Sequence, residues 1–241
     1  MLQTKNHTYY IENKSTGADT RLGAILFDLL TSCEKNFSEL VILCIGSDRI
    51  TGDSLGPLVG HSLSRFSLPH ARVYGTLDRP VHALNLNETV EMLQQQHPHG
   101  LILAIDASLG TRKHLGFLTI SPGALEPGLG VRKKLMPVGD ISITGIVNVS
   151  GTFDNFLLQT TRLATVVQLA DSIVSGILLA HHQYFTPAVF PKNPLSSGLW
   201  NGLSALQNLR LCQPLPPPCQ KEECNPYIGN PHQRHGAPAA S

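Results

Sequence analysis

The chain has 241 residues, with 18 basic and 17 acidic side chains and a formal net charge of +1. A chain of this length buries one sizeable core, so we expect one domain with loosely structured ends. The balanced charge gives no electrostatic reason to expect nucleic acid or an anionic membrane as a partner. Charged residues make up only 15% of the chain, which indicates that self-association covers some apolar surface.

The N-terminus and the cysteines indicate the compartment. Residues 1–15 are polar and lack an apolar core, so they do not form a secretory signal. The five cysteines are odd in number and unevenly spread, which is not typical of a disulfide framework. We therefore expect a soluble protein of the reducing cytoplasm.

The predicted elements alternate between helix and strand along the chain. Apolar residues at helical spacing indicate helices, and short continuous apolar runs indicate strands buried on both faces. Strands that alternate with helices favour an α/β fold, in which a mostly parallel sheet is covered on both faces. Helices are expected over 19–33, 54–66, 87–96 and 152–184 and strands over 41–45, 72–75, 101–105, 116–120 and 141–149, with Asp19 and Thr152 as helix N-caps.

The apolar stretch 163–180 is almost long enough to span a bilayer. Asp171 lies at its middle, where a charge costs roughly 3 kcal/mol on insertion. The apolar residues also follow a helical period. The pattern therefore predicts a long, mostly buried helix of a soluble domain and no membrane partner.

Composition divides the chain into three parts. Residues 1–16 are expected to be a disordered extension, and 17–190 form the α/β domain. Ten of the 17 prolines lie in 187–241, so 191–241 is predicted to be a mobile tail. Four residues of this tail resemble a zinc ligand set, although their spacing is tighter than that of zinc sites; they are Cys219, Cys224, His232 and His235.

Acidic residues follow the two most apolar strands. Asp48 and Asp53 lie in the loop after the first, and Asp106 comes directly after 101–105. Parallel strands gather their chemistry at the edge where they end, so the sequence predicts a site built on Asp53 and Asp106. The alternative is structural: Asp53 caps the following helix, and Asp106 binds a loop.

Ser54 lies in the pentapeptide Gly52-Asp-Ser-Leu-Gly56, which matches the elbow of serine hydrolases. The elbow needs its serine on the tight turn directly after a strand, and Ser54 lies about eight residues later. Ser54 is therefore expected to open the helix, with its hydroxyl accepting from a free N–H or supporting the neighbouring carboxylate. Gly52 and His82 are expected beside the site, His82 as a supporting residue.

Four segments resemble the sporulation family called YyaC, over about residues 20–185. They are 41–60 (VILCIGSDRITGDSLGPLVG), 74–83 (YGTLDRPVHA), 104–107 (AIDA) and 137–148 (PVGDISITGIVN). The last contains Asp140, which is therefore expected near the site. Segments 53–57 (DSLGP) and 105–107 (IDA) also resemble the germination protease of spore-forming bacteria, and the glycine-rich loop 121–131 is similar to one in that enzyme.

The resemblance implies an activity as well as a fold. The germination protease degrades small acid-soluble spore proteins, and its catalytic aspartates stand in segments that match Asp53 and Asp106. Wider relatives are the hydrogenase maturation endopeptidases, which have a three-layer α/β/α fold of the phosphorylase/hydrolase-like type. Those that use a metal carry a Glu, an Asp and a His, but 138–148 contains no histidine. We therefore expect no metal and no other cofactor.

Two functions remain open. The first is an atypical aspartic endopeptidase that acts on a protein or peptide substrate in the cytoplasm of the forespore or mother cell. In it, two neighbouring carboxyl groups share one proton and act as acid and base. The second is a sporulation protein that keeps the fold and binds a peptide or protein partner without cleaving it.

Overall fold

A computed structural model of the chain describes residues 7–127, 135–151 and 154–186. The chain divides into two units, Met1–Phe190 and Pro191–Ser241. The described residues all belong to the first unit, so the mobile tail at 191–241 stays a prediction. Thr152, the predicted N-cap, also lies outside the described residues. The helices are α1 (Ala18–Ser32), α2 (Leu55–Leu63), α3 (Leu86–Gln96), α4 (Asp154–Gln159) and α5 (Leu163–Phe185), and the strands are β1 (Tyr9–Glu12), β2 (Glu39–Cys44), β3 (Ala71–Tyr74), β4 (Gly100–Gly110), β5 (Phe117–Pro122) and β6 (Ile141–Val149).

A six-stranded sheet organises the domain, with the strand order β1-β5-β6-β4-β2-β3. The strands β3, β2, β4 and β6 run parallel to one another. The strands β5 and β1 complete the sheet in antiparallel pairs. The prediction of a mostly parallel sheet is confirmed. The helix α2 connects β2 to β3 and α3 connects β3 to β4, whereas β5 lies between β4 and β6 in the chain.

Alternate side chains of the central strands enter two separate cores. On one face, Leu40, Ile42 and Cys44 of β2 pack into a cluster built with α1, α2 and α5. On the other face, Val41 and Leu43 pack against the apolar side of α3 and the loop at 135–138. Because both faces are buried, β2 and β4 read as unbroken apolar runs. The predicted three-layer α/β/α fold is confirmed, with one of its helical layers thinner than the other.

The N-terminal prediction is wrong for part of its range. Within the predicted disordered segment 1–16, β1 pairs with β5, and Ile11 is almost fully buried. A four-residue strand carries too little periodicity to be recognised before its partner is known. The N-cap of α1 is Gly17 in a left-handed conformation, and Asp19 lies in the first turn instead.

The predicted long helix 152–184 is two helices in the described part of the chain. The chain breaks between α4 and α5, where the Thr160 and Thr161 hydroxyls donate to the Phe156 and Leu157 carbonyls. Such bonds let the backbone leave the helix. By length and hydropathy α5 could cross a membrane. It lies instead as a core helix against α1, α2 and the sheet, with Asp171 exposed.

Candidate functional site

The site lies where β2 ends and β4 continues. The Ile45 N–H still donates to the Ile105 carbonyl at 2.7 Å, and the Gly46 N–H then turns to the Val81 carbonyl at 2.8 Å. Gly46 has a φ of +141°, and a Cβ there would collide with the Asp53 carbonyl. A glycine is therefore required for the chain to leave the sheet at this point.

Asp106 lies inside β4 and not at its end, since β4 runs on to Gly110 beside β6. The sequence placed it at a strand tip because the apolar run stops there. The pairing between β4 and β2 nevertheless stops at Ile105, and Asp106 is the next residue of β4. The residue is 7% exposed, and its Oδ1 accepts from the Ala107 N–H at 2.7 Å. Asp106 thus lies beside the end of β2, at the edge that the sequence predicts, although β4 continues past it.

Asp53 is brought to the same edge by the loop after β2. It is the last residue of the short 3-10 helix Thr51–Asp53, and its backbone carbonyl accepts from the Ser47 N–H at 3.0 Å. Burial raises the pKa of the Asp53 carboxyl to about 6, against a smaller lowering by a hydrogen bond from the Ser47 backbone. A carboxyl group with this pKa changes its charge close to physiological pH.

The two carboxyl groups interact. Burial raises the pKa of Asp106 well above its usual value, the negative charge of Asp53 raises it further, and the Ala107 N–H lowers it. The charge of one carboxyl group raises the pKa of the other, so the pair favours one ionised and one protonated carboxyl group. One base beside one acid is the arrangement that general acid–base chemistry needs.

Gly52 precedes Asp53 in the 3-10 helix, and α4 packs closely against it. A Cβ on Gly52 would lie 2.7 Å from the Leu158 carbonyl and 2.8 Å from the Thr161 hydroxyl. The Asn148 amide donates to the Leu157 carbonyl at 2.8 Å and to Thr161 at 3.2 Å, which ties α4 to β6.

Sequence reasoning missed Asn148 and Thr161 as supports of the site. Each lies more than 90 residues along the chain from Gly52. No local pattern predicts that α4 packs against the loop that carries Gly52.

Ser54 does not use its hydroxyl as predicted. The side chain is 6% exposed, and its hydroxyl donates to the Thr51 carbonyl at 2.7 Å. It makes no capping bond to a helix N–H. The hydroxyl donates back to a carbonyl three residues earlier, so it closes the 3-10 turn that carries Asp53.

His82 lies at the same edge of the sheet, and Asp48 is exposed in the loop after β2. Val81 bridges to Ile45, which places His82 beside the end of β2. The His82 Nδ1 accepts from the Leu84 N–H at 3.3 Å, so its ring helps to shape the turn before α3. Asp48 is exposed, and no hydrogen bond or ion pair joins its carboxylate to a described residue.

The prediction that Asp140 lies beside the site is wrong. Its carboxylate accepts from the Ile102 N–H at 2.8 Å and pairs with the Lys35 ammonium at 2.7 Å. Ile102 lies four residues before Asp106, about 13 Å along an extended strand. Asp140 thus lies at the opposite edge of the sheet. It comes directly before β6, and its carboxylate accepts the Ile102 N–H that a carbonyl of β6 would otherwise accept.

Among the described residues, no three His, Cys, Asp or Glu side chains come close enough together to hold a metal ion. Asp53 and Asp106 are two oxygen donors without a third partner of that kind. The absence of a metal remains a prediction to be tested with a chelator.

The fold and the site define an α/β domain with two interacting carboxyl groups at the carboxyl edge of its parallel strands. The chain belongs to the family described as a protein of unknown function (DUF1256), whose model matches residues 10–176. It is 42% identical to the uncharacterized protein YyaC of Bacillus subtilis (strain 168) over 170 residues, which are 70% of this chain and 82% of that protein. The predicted resemblance to the YyaC family is confirmed.

Among solved structures, the chain is similar to the NiFe hydrogenase maturation protease HycI of Thermococcus kodakarensis KOD1. The TM-score is 0.44 at 15% sequence identity, over 66% of this chain and 99% of that chain.

Proposed function

We propose that this protein is an atypical aspartic endopeptidase that hydrolyses peptide bonds of a protein substrate during sporulation. The observation that supports it is the interacting carboxyl pair, in which Asp53 has a pKa of about 6 and the pKa of Asp106 is raised well above its usual value. Aspartic proteases use two neighbouring carboxyl groups, one ionised and one protonated.

In the proposed reaction, the Asp53 carboxylate takes a proton from water while the water oxygen bonds to the scissile carbonyl carbon. Asp106 donates its proton to the carbonyl oxygen, so the tetrahedral intermediate is a neutral diol. Asp106 then takes a proton back from one hydroxyl as the C–N bond breaks. Asp53 gives its proton to the leaving amine, which restores both groups to their starting charge.

The biological setting of the proposal comes from similarity and not from geometry. The relationship to YyaC and the resemblance to the germination protease favour sporulation, with small acid-soluble spore proteins as the substrate class. The site of action would be the cytoplasm of the forespore or mother cell of a spore-forming bacterium.

The test is digestion of purified small acid-soluble spore proteins by the full chain, read by mass spectrometry. Asp53→Asn and Asp106→Asn are each expected to abolish cleavage, because either change removes the base or the acid. Asp48→Asn makes the same chemical change on an exposed side chain and should cleave normally. Dialysis against a chelator should leave the activity intact, since no His, Cys, Asp or Glu among the described residues joins the pair as a third ligand.

Normal turnover in either site variant would overturn the carboxyl pair as the catalytic unit. Loss of activity in chelator, with rescue by zinc or nickel, would make the protein a metallopeptidase. Binding of the spore proteins without cleavage would favour the second function, a partner-binding protein that uses the same fold.

A further inference from the structure

The strand β4 has a stretch of backbone without a neighbour on one side. Its first half pairs with β2, but β2 ends at Cys44 and the chain turns away at Gly46. From Asp106 to Gly110, β4 pairs with β6 alone. The side of this stretch that continues the line of β2 carries no strand among the described residues, and we call it the β4 edge.

The hydrogen bonds show which residues face this edge. In an extended strand, successive residues turn their N–H and C=O groups to opposite neighbours. The Ile105 carbonyl accepts from Ile45 in the direction of β2, and the Gly110 carbonyl accepts from Ser150 in the direction of β6. The odd-numbered residues Ala107 and Leu109 therefore turn their backbone groups toward the β4 edge.

Three of these groups have no partner among the described residues: the Ala107 carbonyl and the N–H and carbonyl of Leu109. The fourth, the Ala107 N–H, is held by the Asp106 carboxyl group itself at 2.7 Å. Unpaired backbone groups on a strand are a template for a further strand, and a peptide that binds to them is recognised through its own main chain.

We infer that the β4 edge binds an extended polypeptide segment as an added strand, which lays its main chain across Asp106. The occupant is an unfolded stretch of protein, because its N–H and C=O groups are not used within its own chain and can pair with Ala107 and Leu109. Main-chain pairing also tolerates varied side chains. The inference rests on the proposed function only in its last step, where the bound peptide bond meets Asp53 and Asp106.

The test uses reduced, carboxymethylated α-lactalbumin as a permanently unfolded probe and native α-lactalbumin as its folded counterpart. The protein is the full chain carrying Asp53→Asn, so the probe is not cleaved during measurement. Fluorescence anisotropy should show binding of the unfolded form only. Amide exchange read by NMR should show fast exchange at Leu109 in the free protein and selective slowing there with the probe, while Ser108, which faces β6, stays protected throughout.

A proline variant provides a second test. Leu109→Pro removes the free N–H without breaking a bond to β6, a change that edge strands tolerate. It should weaken probe binding by about tenfold or more. Val73→Pro is the matched control, since Val73 lies on the outer edge strand β3 and its N–H faces away from β2. This variant should bind the probe normally.

No binding of the unfolded probe would overturn the inference. So would binding that leaves the Leu109 amide unprotected, or binding that is lost in Val73→Pro and kept in Leu109→Pro. If Leu109→Pro does not fold, the exchange measurement on the parent chain decides alone. Binding with protection at Leu109, together with no cleavage by the native chain, would keep the strand site and reject the peptidase.

Discussion

Folding moves the carboxyl groups of Asp53 and Asp106 out of water, and this burial is the first cause of both raised pKa values. An unfolded chain ionises Asp53 near its usual pKa of 3.8, whereas the folded chain keeps its proton until about pH 6. The folded state thus binds more protons between these values, so the free energy of unfolding falls as pH rises through this window. At neutral pH the raised pKa of Asp53 lowers the free energy of unfolding by about 3 kcal/mol.

Asp53→Asn should therefore raise the melting temperature at pH 7.5, because it removes a buried charge. The expected gain is several degrees, and it should shrink as pH falls toward 4, where Asp53 is protonated in both states. Thermal unfolding followed by circular dichroism across this pH range measures the difference. Asp48→Asn should show no such trend, and a gain for Asp53→Asn that does not vary with pH would contradict burial as its cause.

Ser54 is the residue for which a sequence pattern and the observed contacts disagree most. Its hydroxyl donates to the Thr51 carbonyl and has no histidine partner among the described residues. Ser54→Ala should cost about 1 kcal/mol, the usual net value of one hydrogen bond, and should keep substantial catalysis. Chemical denaturation and the cleavage assay measure the two effects. Stoichiometric labelling by a fluorophosphonate probe that disappears in Ser54→Ala would instead make the protein a serine hydrolase.

At the scale of elements, the support of Asp53 depends on how closely α4 approaches the loop. Gly52→Ala would place a methyl group 2.7 Å from the Leu158 carbonyl, and backbone atoms cannot yield as a flexible side chain can. We expect a loss of about 1–3 kcal/mol in stability. Activity should fall as well, because Asp53 moves with the loop.

Gly116→Ala separates this effect from the general cost of replacing a glycine. Gly116 has a φ of +79°, and nothing lies within 4 Å of the position that its Cβ would take. The change should cost some stability through backbone strain but leave cleavage unchanged. Equal losses of activity in the two variants would argue against α4 as the support of the site.

At the scale of the whole molecule, the domain ends with α5 as far as the structure describes the chain. The tail is rich in proline, so removal of all residues after Pro194 should leave the melting temperature and the cleavage rate unchanged. Calorimetry and the cleavage assay on the shortened chain test this prediction. A fall of several degrees would show that the tail packs on the domain.

Patterns within short stretches of sequence determined the layered fold and the location of the carboxyl pair. The apolar runs of β2 and β4 predict buried parallel strands, and such strands bring the residues at their ends to one edge. The pattern led to Asp106 beside the end of β2 and to the loop that carries Asp53, although it selected the exposed Asp48 as well.

Only the tertiary structure decided the features that depend on residues far apart in the chain. It paired β1 with β5, set Asp140 against Ile102 and Lys35 at the opposite edge, and packed α4 under Gly52. It also ended β2 before β4, which leaves the β4 edge without a neighbour. Periodicity records which face of an element is buried, but not which element covers it or where a neighbouring strand stops. Those outcomes follow from packing and from hydrogen bonds between elements.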